Sequence, residues 1–383
     1  MQIKSFSYSD TINKWELAES NFNDLNLLVG ISGVGKTQIL NSLRVVSQIA
    51  GGETYNGISF SLVFQTSGKD EYRWEAGFET LEHIAEQSIS LPDFVSHGAE
   101  KPKIEREFLS LNGKTILERD AESIVLNGRK TPKLDSSQSA LNLLKFEDLI
   151  APASKEMNKI VSSSMAYNEA PEMSMLNLNE FELAVSKLDT LKKIRESELS
   201  IGIKLSLIFS NCFDTFEEIR DEFIDVFQQV EDVVVNSNEQ FINGRFVVCP
   251  TVLVKEKGVP GWVNQKRLSA GMHKTFYQIT QSHLWPEGSV ILIDEFENSL
   301  GINCINILTD IILGQSRRLQ FIITSHHPYI INNIDQRFWR VVVRNKGMVR
   351  IKDAESLGLG KSNHEAFIQL INTQDYIDGI SLQ

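Results

Sequence analysis

Residues 24–29 read DLNLLV and run directly into GISGVGKT at 30–37. No other feature restricts the fold as much. An apolar run that stops at Gly30 reads as a short buried strand. After it, Ile39, Leu40, Leu43, Val46 and Ile49 fall at helical spacing, which predicts a helix from about Lys36 to Ile49. The Gly51–Gly52 pair stops that helix. The octet between strand and helix matches G-x-x-x-x-G-K-[ST] in the context the pattern requires. Gly30, Gly33 and Gly35 let the backbone curl with no Cβ in the way, so that the amides of Ser32, Gly33, Val34 and Gly35 can surround phosphate oxygens. The positive end of the helix dipole adds to that attraction. Lys36 is placed to hold the β- and γ-phosphates, and the Thr37 hydroxyl to ligate Mg2+. The expected ligands are therefore ATP and Mg2+.

A second signal is SVILIDEFENSL at 289–300. Buried parallel strands read as continuous apolar runs, and ligands bind at their carboxyl ends. Asp294 is expected at such an end, beside the phosphate loop, as a Mg2+ ligand. Glu295, one residue further, is expected to polarise the attacking water as general base. A third segment, RLSAGMH at 267–273, precedes the helix-compatible KTFYQITQSHLW. A serine hydroxyl and amides at a helix N-terminus make an anion cap. A fourth, FIITSHHP at 321–328, is a buried strand ending in His326 and His327.

Leu268–Met272 resembles the LSGGQ signature of the ABC ATPase superfamily, with Ala270 for Gly and Met272 for Gln or Glu. The resemblance implies that Ser269 and the Gly271 backbone of one subunit contact the γ-phosphate held by another. It also implies a switch histidine that bonds the γ-phosphate; His326 occupies that position and His327 is the alternative. A glutamine joining the ATP lobe to a helical insertion is implied as a nucleotide and metal contact. Gln138, in KLDSSQSALNLL, is the preferred candidate, and Gln65, in SLVFQTS, is the other.

The order of these elements identifies the chain with the soluble branch of that superfamily that contains SMC, DNA-repair and OLD ATPases. DEFENSLGIN and SNHEAFIQLIN resemble stand-alone AAA-type ATPases of bacterial antiphage modules. Gly301 stands where relatives commonly carry Asp or His, leaving Asn298 and Ser299 as the polar groups there. The stretch after His327 is too short for the TOPRIM nuclease of OLD proteins, which implies a separate effector protein such as a nuclease.

The implied fold is α/β: one ABC-type head with a mostly parallel central sheet, an antiparallel β-lobe and a helical insertion. The expected divisions are 1–139 for the ATP lobe, 140–265 for the insertion and 266–383 for the C-terminal lobe. Within the first, 2–6 reads as a strand, and 58–65 with 71–78 alternate as a hairpin around Ser67–Gly68–Lys69–Asp70. Asn112–Gly113 and Asn127–Gly128 mark two more hairpins, and Leu91–Lys103 reads as loop. From 140 to 235 the pattern is helical. Phe181, Ala184, Val185, Leu188 and Leu191 form one apolar face, and Phe216, Ile219, Phe223, Phe227 and Val230 another. The outer side of the latter is acidic. Strands follow at Ser289–Ile293 and Leu319–Thr324, a helix at Ile305–Leu313, and a hairpin over 340–352.

Composition narrows the partners. A net charge of −12 disfavours tight nucleic-acid binding by the whole chain. The basic stretch Arg337, Arg340, Arg344, Lys346, Arg350 and Lys352 is the local exception, so DNA stays open as a partner. The 3 cysteines have no CxxC spacing and read as reduced thiols. The first residues lack a secretory core and no apolar run reaches bilayer length, so a cytoplasmic protein without membrane contact is expected. The nearest functional expectation is a regulatory ATPase forming a homodimer or higher oligomer. Its rivals are an ATP-binding scaffold with negligible hydrolysis and a DNA-stimulated repair ATPase.

Overall fold

The computed structural model describes residues 1–82, 101–163, 176–242, 244–297, 302–314, 317–358, 360 and 362–372. The chain divides into two compact units: Met1–Ser162 with Gly288–Phe296 and Arg318–Gln383, and Ser163–Glu287 with Glu297–Arg317.

The first unit is built on a 14-stranded sheet. Its N-terminal strands are β1 (Gln2–Asp10), β2 (Trp15–Asn21) and β3 (Leu25–Val29). A meander follows: β4 (Ile58–Gln65), β5 (Glu71–Phe78), β6 (Ile104–Leu111), β7 (Lys114–Arg119), β8 (Ile124–Leu126) and β9 (Arg129–Lys130). The remainder are β10 (Ile160–Ser162), β15 (Val290–Ile293), β16 (Gln320–Thr324), β17 (Trp339–Asn345) and β18 (Met348–Asp353). The strand order is β10-β15-β16-β3-β17-β18-β2-β1-β4-β5-β6-β7-β8-β9.

From β10 to β17 every neighbouring pair is parallel. Each residue of β3, β15 and β16 is buried, as unbroken apolar runs require. The polar exception in β3, Asn26, is satisfied: its amide donates to the carbonyls of Asn23 (2.7 Å) and Phe321 (3.1 Å) and accepts from the Asn23 N–H (2.9 Å). The helix Lys36–Ala50 buries Ile39, Leu40, Leu43, Val46 and Ile49, the stripe read from sequence. Burying each such side chain contributes about 1.5–3 kcal/mol.

The meander from β4 to β9 is antiparallel throughout. Asn112 with Gly113 and Asn127 with Gly128 all have φ between 47° and 78°, which is what tight two-residue hairpins demand. Residues 83–100, most of the expected loop before Lys103, lie outside the described residues. β2 was not read from the sequence at all.

The second unit departs further from expectation. Its strands are β11 (Leu176–Asn177), β12 (Val230–Ile242), β13 (Arg245–Glu256) and β14 (Trp262–Asn264), in the order β11-β13-β12 with β14 also on β13. A long hairpin of 13- and 12-residue strands therefore occupies what read as a mainly helical insertion. Phe227 caps the helix Phe213–Val226 and Val230 opens β12, so the expected second apolar face is cut short. The first face is likewise broken, into helices Leu178–Lys187 and Leu191–Glu196. The helix Ala270–Leu284 belongs to this unit rather than to a C-terminal lobe, because Phe276 packs edge-on against Phe223 at 5.2 Å. Conversely, the first unit extends past 139 to Ser162, where β10 adds to β15. Among the described residues no helix is long and apolar enough to cross a membrane.

Candidate nucleotide site

The phosphate loop leaves β3 at the carboxyl end of the parallel strands and enters the helix Lys36–Ala50. A Cβ on Gly30 would stand 2.7 Å from the carbonyl oxygen of Val342, so only glycine lets β3 and β17 approach this closely. Gly33, at φ 86°, has open space where its Cβ would be. Val34 is buried beneath the loop, while Ser32 and Thr37 are exposed. Gly35 caps the helix at φ 106° with no side-chain hydrogen bond, and no acid occupies the first turn. Lys36 is buried, its ammonium donating to the carbonyls of Gly30 (2.7 Å) and Ile31 (3.0 Å). A lysine held across the loop in this way is already in the cradle that triphosphate oxygens would enter.

The sheet order brings the acids to this loop. β16 lies between β3 and β15, with Thr324 beside Leu28 and Ile323 beside Ile293. Asp294 follows β15 directly. Its Oδ1 accepts from the Thr37 hydroxyl at 3.1 Å and from the Thr324 hydroxyl at 2.6 Å. The Glu295 N–H donates to Thr324 Oγ1 at 2.7 Å, and the Phe296 N–H to the Thr324 carbonyl at 3.1 Å. Glu295 is exposed and has φ 45°, in the left-handed region that non-glycine residues rarely occupy. Such a conformation costs about 1–3 kcal/mol and persists where its surroundings fix it.

At the end of β16 the two histidines differ. His327 Nδ1 accepts from the Tyr329 N–H at 3.2 Å and caps the helix Pro328–Asn333. His326 is the exposed one.

Gln138 is a correction. Its amide lies between Asn142 (2.9 Å) and Asp135 (3.3 Å), beside Gly52. Gly52 follows the far end of the 15-residue helix that Lys36 begins, about 22 Å away at 1.5 Å per residue. Gln138 is fixed there because Arg119 donates to its carbonyl at 2.6 Å, while Glu107 accepts from Ala140 N–H at 2.7 Å. Burial pushes the Glu107 carboxyl up, against the pull of Ala140 N–H and Arg119. The structure therefore places Gln138 at the far end of the helix Lys36–Ala50 and does not bring it together with Lys36, Thr37 and Asp294. Gln65 fares no better. It pairs with Gln2 next to Ile3, whose N–H meets Gln320 at the opposite, amino-terminal edge of the parallel strands. The strand that does flank β15 on its outer side is β10, which ends in Ser162 beside Leu292.

Ser269 and Gly271 lie in the second unit. Ser269 is exposed and caps its helix, accepting from the Met272 N–H at 3.2 Å. Asn298, Ser299 and Gly301 lie outside the described residues. In the basic stretch, Arg340 is buried and bound to Asp353 at 2.7 Å, and Arg337 lies over the Phe338 ring and 3.8 Å from Asp335. Both charges are thus partly spent within the fold.

Among the described residues no group of three or more His, Cys, Asp or Glu could hold a metal by itself. Magnesium does not need one, because it binds through one or two carboxylates together with substrate phosphates. Thr37 Oγ1 and Asp294 Oδ1 are hard oxygens in contact at the phosphate loop and fit that requirement.

A parallel α/β core with GISGVGKT after β3 and an acid-tipped β15 two strands away defines a P-loop nucleotide-binding head of the ATPase class. The chain belongs to the family described as "AAA domain, putative AbiEii toxin, Type IV TA system", whose profile matches residues 25–332. Among solved structures it is similar to an SmcHead bound to the C-winged helix domain of ScpA, at 11% identity and TM-score 0.47, over 92% of this chain and 97% of that one. It is also similar to the SMC head domain from Thermotoga maritima, at 13% identity and TM-score 0.43, over 92% and 99%. No curated protein matches the sequence.

Proposed function

We propose that this chain hydrolyses ATP and uses the cycle to close and reopen an assembly with further copies of itself. That assembly would control a separate effector protein, such as a nuclease, in a bacterial antiphage module in the cytoplasm. The observation that carries the enzymatic part is the contact of Thr37 with Asp294 at 3.1 Å, with Glu295 exposed one residue beyond. The family description, which includes a putative toxin of a Type IV TA system, supports reading the chain as one part of a system of more than one protein.

The loop amides and Lys36 bind and orient the triphosphate. Thr37 and Asp294 would hold Mg2+, which when bound neutralises charge between the β- and γ-phosphates. Glu295 accepts the proton of the attacking water, and His326 donates to the γ-phosphate. Ser269 accepts from Met272 with its oxygen and so keeps its O–H to donate. That proton, with the Gly271 amide, would cap the phosphate held by another copy. Each nucleotide site would then be composite.

The test is phosphate release by the wild type beside Glu295→Gln. The variant is expected to bind ATP as the wild type does and to turn over about 10²–10⁴-fold more slowly, the range of a lost general base. Wild-type turnover by Glu295→Gln would remove that residue as base. No phosphate release by the wild type at saturating ATP and Mg2+, alone or with DNA, would favour the scaffold reading.

A further inference from the structure

Thr324 is buried, ends β16, and touches both Asp294 and Glu295. A threonine hydroxyl has one proton and two lone pairs. Here the proton goes to Asp294 Oδ1 at 2.6 Å and a lone pair receives the Glu295 N–H at 2.7 Å. The carbonyl of the same residue receives the Phe296 N–H at 3.1 Å. Two consecutive amides after Asp294 are therefore pinned to one residue, and the peptide between them is the one that carries Glu295 at φ 45°. Nothing in the sequence at Glu295 favours that conformation, since no glycine, Asn or Asp stands there.

We propose that Thr324 is a positioning residue for hydrolysis, setting the Asp294 carboxylate through its hydroxyl and the direction of the Glu295 side chain through the left-handed turn that it holds. The order of strands gives the reason. β16 separates the phosphate-loop strand from the carboxylate strand, so its last residue lies beside the ends of both. The proton on Thr324 Oγ1 has a fixed destination, Asp294, which leaves the hydroxyl oxygen facing the Glu295 amide. Loss of the hydroxyl leaves the Glu295 N–H without this acceptor, and the left-handed turn loses an anchor. The hydrogen bonds of Lys36 to the Gly30 and Ile31 carbonyls do not involve Thr324. Binding and turnover are thereby separable.

The inference rests on the hydrolytic reading above, and the experiment separates the two. Nucleotide affinity, steady-state kcat and KM, and thermal midpoint are measured for the wild type, Thr324→Val, Thr324→Ala and Thr324→Ser. The expected result is a kcat at least tenfold lower in Thr324→Val and Thr324→Ala, KM for ATP within twofold, and recovery to within threefold of wild type in Thr324→Ser. If Thr324→Val does not fold, the Ala and Ser pair carries the same comparison. A kcat within twofold of wild type without the hydroxyl overturns the proposal. So does equal loss in Thr324→Ser and Thr324→Ala, because packing rather than the hydroxyl would then be the cause. A wild type that binds ATP without turning it over defeats the hydrolytic reading instead.

Discussion

The two ends of the helix Lys36–Ala50 are treated in opposite ways. At its start, Gly35 offers no capping side chain, the first turn holds no acid, and Lys36 folds back over the loop carbonyls. At its end the polar groups of Gly51, Ser139 and Gln138 are answered from within. Gly51 N–H reaches Ser47 and Gln48, Ser139 Oγ donates to Ile49, and Gln138 is held between Asn142 and Asp135. A helix start carries about half a positive charge. Left without a cap or an acid, it is a place kept for an anion. The closed end is structural, and its anchor is the buried pair of Arg119 and Glu107 at 3.5 Å. The partners a polar residue already has decide whether it can serve a ligand.

Breaking the closed end should give the largest effect on stability. Arg119→Met leaves Glu107 buried without its counter-charge and is expected to cost about 3–5 kcal/mol in urea denaturation, with ATP affinity unchanged in the folded fraction. At the open end, Lys36→Ala is expected to weaken ATP binding about 100-fold, equivalent to about 2–3 kcal/mol for a charged hydrogen-bond set. Titration calorimetry measures it, and a thermal midpoint close to wild type would keep the two ends distinct. A third helix end supplies a pH test. His273 lies in the first turn of the helix Ala270–Leu284, and burial pulls its imidazole below the usual range. The unfolded chain therefore takes up this proton first as pH falls. Stability from His273 is full above about 6.5 and declines as pH drops through that value toward its lower folded one. His273→Gln should lose less stability between pH 7 and 5.5 than the wild type. The smallest effect belongs to Gln138→Ala: ATP affinity and turnover within twofold, and a stability change under about 1 kcal/mol. A large loss of turnover there would contradict its exclusion from the site.

What the sequence revealed depended on how local each signal was. The phosphate loop, its helix and Asp294–Glu295 are contiguous strings whose chemistry and spacing are visible without a fold. Two-residue turns such as Asn112–Gly113 were legible for the same reason, since φ is set by the residues themselves. The location of Gln138 was not legible because it is set by Arg119 and Glu107, which are distant in sequence. Thr324 was missed because FIIT reads as an apolar strand, and only the position of β16 between β3 and β15 gives its hydroxyl two partners. The hairpin of β12 and β13 carried an overlooked signal, the Asn243–Gly244 pair between alternating segments. The apolar spacing of Phe216, Ile219 and Phe223 was extended through Phe227 into what is strand.

In the proposed assembly, the open helix end is half of a nucleotide site completed by another copy. Mass measurement of Glu295→Gln in ATP and Mg2+, against the same protein in ADP, decides whether it forms. The expected result is a dimer or larger assembly in ATP that falls apart in ADP, and that is lost when Ser269→Ala is added. A single mass in both nucleotides, with ATP bound, would contradict it.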